Sequence, residues 1–305
     1  MKHIISTKNL EKDVVEEILL RAKAMEEGCK NGKIEKLLID KIIACVFFEP
    51  STRTRLSFET AALKLGAQVI SVENAKENSS SYKGETIEDS ARILSIYADA
   101  IVMRHSIAGS VEKAVSVATK SIINAGDGPN QHPSQGLLDL YTIKKELGRL
   151  DNLTVAFVGD LLFSRTIRSL IPLLGLYSNN KLIFISPRRL ELPKEYVDDL
   201  KNKGIDILET DDFEKGLESA DIVYMTRVQK ERFDDINEYN NVKDSYVLGL
   251  DKLNKMKNDA IIMHPLPRIN EIAQEVDSDP RAAYFRQAEN GLYVRMALLL
   301  YVFGL

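Results

Sequence analysis

The sequence predicts an α/β fold of two lobes, each a parallel sheet flanked by helices, with the lobes joined by inter-lobe helices. Three observations carry that prediction. Runs of Val, Ile and Leu alternate with segments of helical period almost throughout the chain. The runs are nearly continuous rather than alternating, which marks strands covered on both faces. The strand–helix series also breaks after residue 147 and restarts at residue 154, and a length of 305 residues favours two domains over one.

The elements follow in order. Val14, Val15, Ile18, Leu19, Ala22 and Met25 give an early helix one apolar face. Strands are predicted at 42–48, 68–72, 100–103 and 121–124, separated by helices at 53–65, 86–98 and 110–118. Residues 77–83 (Glu-Asn-Ser-Ser-Ser-Tyr-Lys) read as a polar loop. A helix at 135–147, with Ser134 as its cap, is expected to join the lobes. Strands then recur at 154–158, 182–186, 206–208, 222–225 and 260–263, with helices at 164–174, 194–203 and 213–219. The apolar helix 284–303 is long enough to cross back onto the first lobe. The expected domains are therefore 1–134, completed by 284–305, and 135–283.

Composition excludes several classes of function. Apolar residues make up 44% and charged residues 28%, with a net charge of -4, so no basic surface for nucleic acid or membrane is expected. No apolar run reaches membrane-spanning length, and the first residues lack a signal-peptide core, so a cytoplasmic location is expected. Cys29 and Cys45 form no CxxC, and the histidines are scattered, so neither a disulfide framework nor a metal site is expected.

Chemistry concentrates just past the predicted strands, where open parallel sheets bind ligands. The richest stretch is Phe47-Phe48-Glu49-Pro50-Ser51-Thr52-Arg53-Thr54-Arg55, a strand, a hydroxyl-rich turn and a helix start. Backbone N–H groups and the positive end of a helix dipole make such a junction an anion site. Ser51, Thr52 and Thr54 add hydroxyls, and Arg53 adds a fork suited to phosphate oxygens. Arg104, Arg165 and Arg227 also follow strands. Any one alone reads as a surface ion pair; together they would hold more than one anionic group. His132 precedes Pro133, which biases it to extended backbone, and Gln135 stands at a helix start. His264-Pro265-Leu266-Pro267-Arg268 is a proline-locked turn that offers carbonyls, suited to an NH₂ group. There is no Walker pattern, no GxSxG, and Gly159-Asp160 lacks the further glycines of a dinucleotide site.

These motifs, with Ser-Tyr-Lys-Gly-Glu-Thr (81–86), Met-Arg-His (103–105) and Arg-Val-Gln-Lys-Glu-Arg-Phe (227–233), resemble the aspartate/ornithine carbamoyltransferase family over essentially the whole chain. Lys83 and Arg227-Val228-Gln229 resemble the members that take aspartate. Ornithine-type members carry His-Cys-Leu-Pro where this chain has His264-Pro265-Leu266-Pro267, and a Ser-Met-Gly loop absent here. The resemblance implies transfer of the carbamoyl group of carbamoyl phosphate to L-aspartate, without metal or organic cofactor. It implies that Ser51, Thr52, Arg53, Thr54 and Arg104 bind the phosphate, with His132 and Arg104 on the carbonyl oxygen. It gives the amide to Gln135 and the carbonyls of Leu266 and Pro267, and the two aspartate carboxylates to Arg165 and Arg227, with Gln229 and Lys83 beside them. Arg53, Thr54, Arg104 and His132 would be the catalytic set, and His105 structural. A homotrimer is implied, in which Ser79 and Lys83 serve the neighbouring chain's site, and part of the family adds a separate regulatory chain. Two alternatives stay open: transfer to another amine such as ornithine, and a non-catalytic phosphate- or amino-acid-binding protein.

Overall fold

The computed structural model describes residues 1–78, 83–233 and 235–305; Ser79, most of the predicted polar loop 77–83 and the first two residues of the 81–86 motif lie outside these. The chain divides into two compact units: Met1–Tyr141 with Arg168–Leu173 and Glu289–Leu305, and Thr142–Ile167 with Leu174–Ala288.

The first unit contains α1 (Lys12–Lys30), β1 (Ile42–Phe47), α2 (Thr52–Lys64), β2 (Gln68–Glu73), α3 (Ala75–Asn78), α4 (Ile87–Tyr97), β3 (Ala100–His105), α5 (Ser110–Val115) and β4 (Ser121–Asp127). Its sheet has the order β2-β1-β3-β4, with every pairing parallel. The chain steps from β1 to β2 on one side and then to β3 on the other, so the crossovers diverge between β1 and β3. Ala44, Val46, Ile101, Met103 and Ile122 pack with Ala91, Val111 and Ala114 of the covering helices. α6 (Pro133–Leu147) follows β4.

The second unit contains β5 (Thr154–Val158), β6 (Lys181–Ile185), α8 (Lys194–Asn202), β7 (Asp206–Thr210), α9 (Phe213–Ser219), β8 (Ile222–Met225), α10 (Ile236–Val242), α11 (Leu250–Leu253) and β9 (Ile261–Met263). α7 (Arg165–Leu174) begins in the second unit, and its residues Arg168–Leu173 belong to the first. α12 (Tyr284–Phe303) closes the chain. The sheet order is β7-β6-β5-β8-β9, again all parallel, and its crossovers diverge between β5 and β8. Val158, Ile183, Ile185, Val223, Met225 and Ile262 form the core with Leu217, Leu248 and Tyr284.

The two parallel sheets are the predicted ones, with three local differences. β2 and β7 are edge strands whose faces are only partly covered, whereas the opposite edges, β4 and β9, are fully buried. α6 begins at Pro133, so Ser134 is inside the helix and does not cap it. Proline suits a first helical position because its fixed φ is helical and its missing N–H would have no partner there. α10 and α11, in the stretch the sequence reading leaves unassigned, are too short to give a clear period. Among the described residues no helix is long and apolar enough to cross a membrane.

Gly159 shows how tightly β5 and β8 approach. Its φ is +109°, and a Cβ there would sit 2.3 Å from the Thr226 carbonyl oxygen. Gly159→Ala should therefore cost on the order of 1–3 kcal/mol from backbone strain alone, read as a lower denaturant midpoint. An unchanged midpoint would contradict this packing.

Candidate active site

In the first unit, ligand-type residues gather where the crossovers diverge. β1 ends at Phe47, and the Phe48 N–H donates to the Arg104 carbonyl at 2.9 Å. α2 then starts at Thr52 with Ser51 as its N-cap residue. The Ser51 side chain makes no cap hydrogen bond, and the first turn holds no acid, so the helix start keeps its positive character. Thr52 and Arg53 are exposed, Ser51 half-buried and Thr54 buried. The motif's two arginines differ in environment. Arg55 is clasped by Glu59 and Glu73, both at 2.9 Å, whereas Arg53 is exposed at the first turn of the helix. Arg104, at the end of β3, pairs with Glu49 at 2.8 Å.

His132 and Gln135 follow the adjacent strand, β4. The buried Asp127 carboxylate gathers the loop by accepting from Asn124, Asn130 and the N–H groups of Gly109 and Gln131. The His132 N–H donates to Ser169 Oγ at 2.7 Å. Gln135 Nε2 donates to Asp139 at 2.8 Å. His105 is turned to structural work: Nδ1 accepts the Ile107 N–H at 3.0 Å, and the ring lies 4.7 Å from Phe48.

One residue near this half escapes the sequence reading. Arg295 of α12 is buried, with its guanidinium 5.3 Å from the centre of the Phe58 ring on α2. Burial pushes its pKa down to about 10, with the Asp139 charge opposing and the Arg53 charge adding to the shift. The available signal was an arginine alone among apolar residues from Gly291 to Leu305.

In the second unit, Arg165 is the first residue of α7 and Arg227 lies just past β8, both half-buried at the divergence between β5 and β8. Thr226 Oγ1 donates to the Val158 carbonyl at 2.9 Å. Asp160 accepts the Phe163 N–H at 2.9 Å and the Gln229 N–H at 3.4 Å. These bonds fix the two strand ends that carry the arginines and Gln229. Leu266 and Pro267 follow β9, the neighbour of β8, and Leu266 has φ +52°. A branched side chain in that left-handed region costs about 1–2 kcal/mol. Arg268 is held by Asp277 and Tyr284 and is committed to the fold. Lys83 is exposed ahead of α4. Among the described residues no group of three or more His, Cys, Asp or Glu side chains is placed to hold a metal ion.

His264 and Glu271 form a buried pair in this unit, Nε2 to Oε1 2.7 Å. Burial lowers the imidazole pKa, Glu271 opposes the shift, and Arg268 and Arg227 add to it. Burial alone would raise the Glu271 carboxyl, but hydrogen bonds from His264 and the backbone outweigh it and hold the pKa low. The fold therefore keeps a neutral ring against a carboxylate. Unfolding lets His264 regain its ordinary pKa of 6.5 and bind a proton that the folded state refuses. Stability from this group is present above that value and falls as pH drops from there toward the lowered folded value. The denaturation midpoint should fall between pH 7 and pH 5.5, and less steeply in His264→Asn; equal slopes would contradict the assignment.

Two models of one family match the chain in succession. Residues 2–145 match "Aspartate/ornithine carbamoyltransferase, carbamoyl-P binding domain", and residues 151–302 match the "Asp/Orn binding domain" of the same family. The chain is 49% identical to the aspartate carbamoyltransferase catalytic subunit of Methanocaldococcus jannaschii, covering 98% of this chain and 97% of that one. It is also 49% identical to the multifunctional protein pyr1-3 of Dictyostelium discoideum, covering 99% of this chain but only 14% of that much longer protein. A solved M. jannaschii catalytic subunit superposes with TM-score 0.92 at 48% identity, covering 100% of this chain and 98% of that one. Aspartate transcarbamoylase of Trypanosoma cruzi, solved with carbamoyl phosphate and aspartate, gives TM-score 0.92 at 37% identity over 98% of this chain and 95% of that one. On the family match to both halves and the near full-length identity, the chain belongs to the aspartate/ornithine carbamoyltransferase family.

Proposed function

We propose that this chain transfers the carbamoyl group of carbamoyl phosphate to the α-amine of L-aspartate, giving N-carbamoyl-L-aspartate and phosphate, the committed step of de novo pyrimidine biosynthesis. The observation that carries the reading is the α2 start: an N-cap serine with no cap bond, no acid in the first turn, and Arg53 and Arg104 at the same sheet divergence. In a chain of this family, that junction is the phosphate half of a carbamoyl phosphate site.

Residues 1–134 with the C-terminal helix take the donor, and 135–283 take aspartate. Ser51, Thr52, Arg53, Thr54 and Arg104 hold the phosphate. His132, Thr54 and Arg104 face the carbonyl oxygen, and Gln135 with the carbonyls of Leu266 and Pro267 takes the NH₂ group. Arg165 and Arg227 pair with the aspartate carboxylates, beside Gln229 and Lys83. The neutral α-amine attacks the carbamoyl carbon; a C–N bond forms and the carbonyl electrons move onto oxygen. Collapse breaks the C–O bond to phosphate, which leaves with the electron pair and takes the amine proton. Each donor aimed at the oxyanion is worth on the order of 2.7–4 kcal/mol. Orientation of the two substrates supplies up to about 7–11 kcal/mol.

The assembly in this proposal is a homotrimer in which Ser79 and Lys83 serve the adjacent chain. Among the described residues β2 is paired on one side only, and with exposed Ile70 on that strand and exposed Leu56 and Leu63 on α2 this supports self-association. The proposed setting is the cytoplasm, where the free Cys29 and Cys45 would stay reduced. A separate regulatory chain, found in part of the family, is not required for this chemistry.

Arg104→Ala should lower kcat by about 10²–10³-fold, while His105→Ala keeps most turnover. Equal losses would remove the role given to the end of β3. Lys83→Gln and His132→Ala should each be nearly inactive alone, yet regain activity when mixed and reassembled. No regain on mixing would refute the sharing of Lys83 between chains.

A further inference from the structure

The motif reading uses Leu266 and Pro267 but leaves His264, which begins the same segment, without a task. Its ring is 1% exposed. Nδ1 accepts the Leu266 N–H at 2.8 Å. A ring nitrogen that accepts carries no proton, so in the neutral imidazole the proton is on Nε2, 2.7 Å from Glu271 Oε1. The second Glu271 oxygen accepts the N–H groups of Ile269 at 3.1 Å and Asn270 at 3.2 Å. The Glu271 carbonyl accepts the Leu248 N–H at 2.9 Å, and the His264 N–H donates to Gln287 Oε1 at 2.9 Å. The segment from His264 to Glu271 is thus fastened at both ends and across its middle. The bond to Leu266 falls on the residue with positive φ, the one whose backbone needs holding. Besides Glu271, the charged groups acting on the ring are Arg268 and Arg227, and both disfavour a second ring proton.

We propose that His264 is a positioning residue for the donor: Glu271 fixes its Nε2–H tautomer, and the Nδ1 lone pair so preserved holds Leu266 with its carbonyl, and that of Pro267, presented to the NH₂ group of carbamoyl phosphate. The inference rests on the donor role given to those two carbonyls above. Glu271 is the outer partner, since it sets which nitrogen is free to accept.

Two substitutions separate the two bonds. In His264→Asn the side-chain oxygen falls near the Nδ1 position and can still accept from Leu266. In His264→Gln the amide reaches the Nε2 position, keeping Glu271 but leaving Leu266 without its acceptor. The KM for carbamoyl phosphate should rise about tenfold in His264→Gln, the equivalent of about 1.4 kcal/mol, and about threefold or less in His264→Asn, with the KM for aspartate little changed in either. A histidine that only supports the fold would instead lower the melting temperature in both variants and leave both KM values alone; that result overturns the inference, as would equal rises in donor KM. The wild type tests it without substitution. ¹⁵N-histidine spectra at pH 7 should show, among the four histidines, one buried ring protonated on Nε2 that shifts when carbamoyl phosphate is added. The opposite tautomer, or no shift, contradicts it. If the wild type releases no phosphate from carbamoyl phosphate with aspartate, the functional reading fails; if it turns over and the histidine results go the other way, the positioning role alone fails.

Discussion

Everything in this molecule depends on where two parallel sheets change direction. A parallel sheet whose crossovers diverge leaves the two strand ends flanking the divergence uncovered by a connecting helix. In the first unit that gap lies between β1 and β3, and in the second between β5 and β8. The first is filled by the Ser51–Thr54 turn and Arg104, the second by Arg165 and Arg227. The next strands outward, β4 and β9, deliver His132 and the His264–Pro267 segment. The close approach at Gly159, the Thr226 hydroxyl on Val158 and the Asp160 carboxylate on Gln229 keep the second set of ends in register. Strand order thus selects which residues meet, and local hydrogen bonds set how they are presented.

Other arginines tie together segments of each unit. Arg55, Arg268, Arg281 and Arg286 are each clasped by carboxylates of their own unit. Such pairs orient chain segments more than they stabilise them, because partly exposed ion pairs are typically worth about 0–1 kcal/mol. Arg53, Arg165 and Arg227 stand at a helix start or strand end of the kind that attracts anions. Arg295 adds a buried charge near the first set, its protonated form favoured by Asp139 and disfavoured by the charge of Arg53.

Most of this architecture was legible in the sequence because the signals are local and strong. The β1 run Ile42–Phe47 and the β5 run Thr154–Val158 are continuous apolar strands, and each ends in polar residues that announce a strand end. Most of the family motifs fall at such strand ends. What was not legible came from tertiary context. Arg53 and Arg55 are two residues apart in one motif, and only the fold shows Glu59 and Glu73 claiming the second. The start of α6 follows Pro133 rather than the capping preference of Ser134. Arg295 looked like one charge in an apolar helix, and the work of His264 depends on Glu271, which a linear pattern does not connect to it. Sequence distance hides such contacts, because packing and buried hydrogen bonds, not spacing, decide them.

The central claim is that carbamoyl phosphate is the donor and aspartate the acceptor. The most direct measurement is phosphate release by the purified chain given carbamoyl phosphate with aspartate, or with ornithine in its place, alongside detection of the carbamoylated product. The account predicts release that is saturable in aspartate, matched by N-carbamoyl-L-aspartate mole for mole, and absent with ornithine. Release that depends on ornithine, or tight binding of carbamoyl phosphate with no aspartate-dependent release, would contradict it.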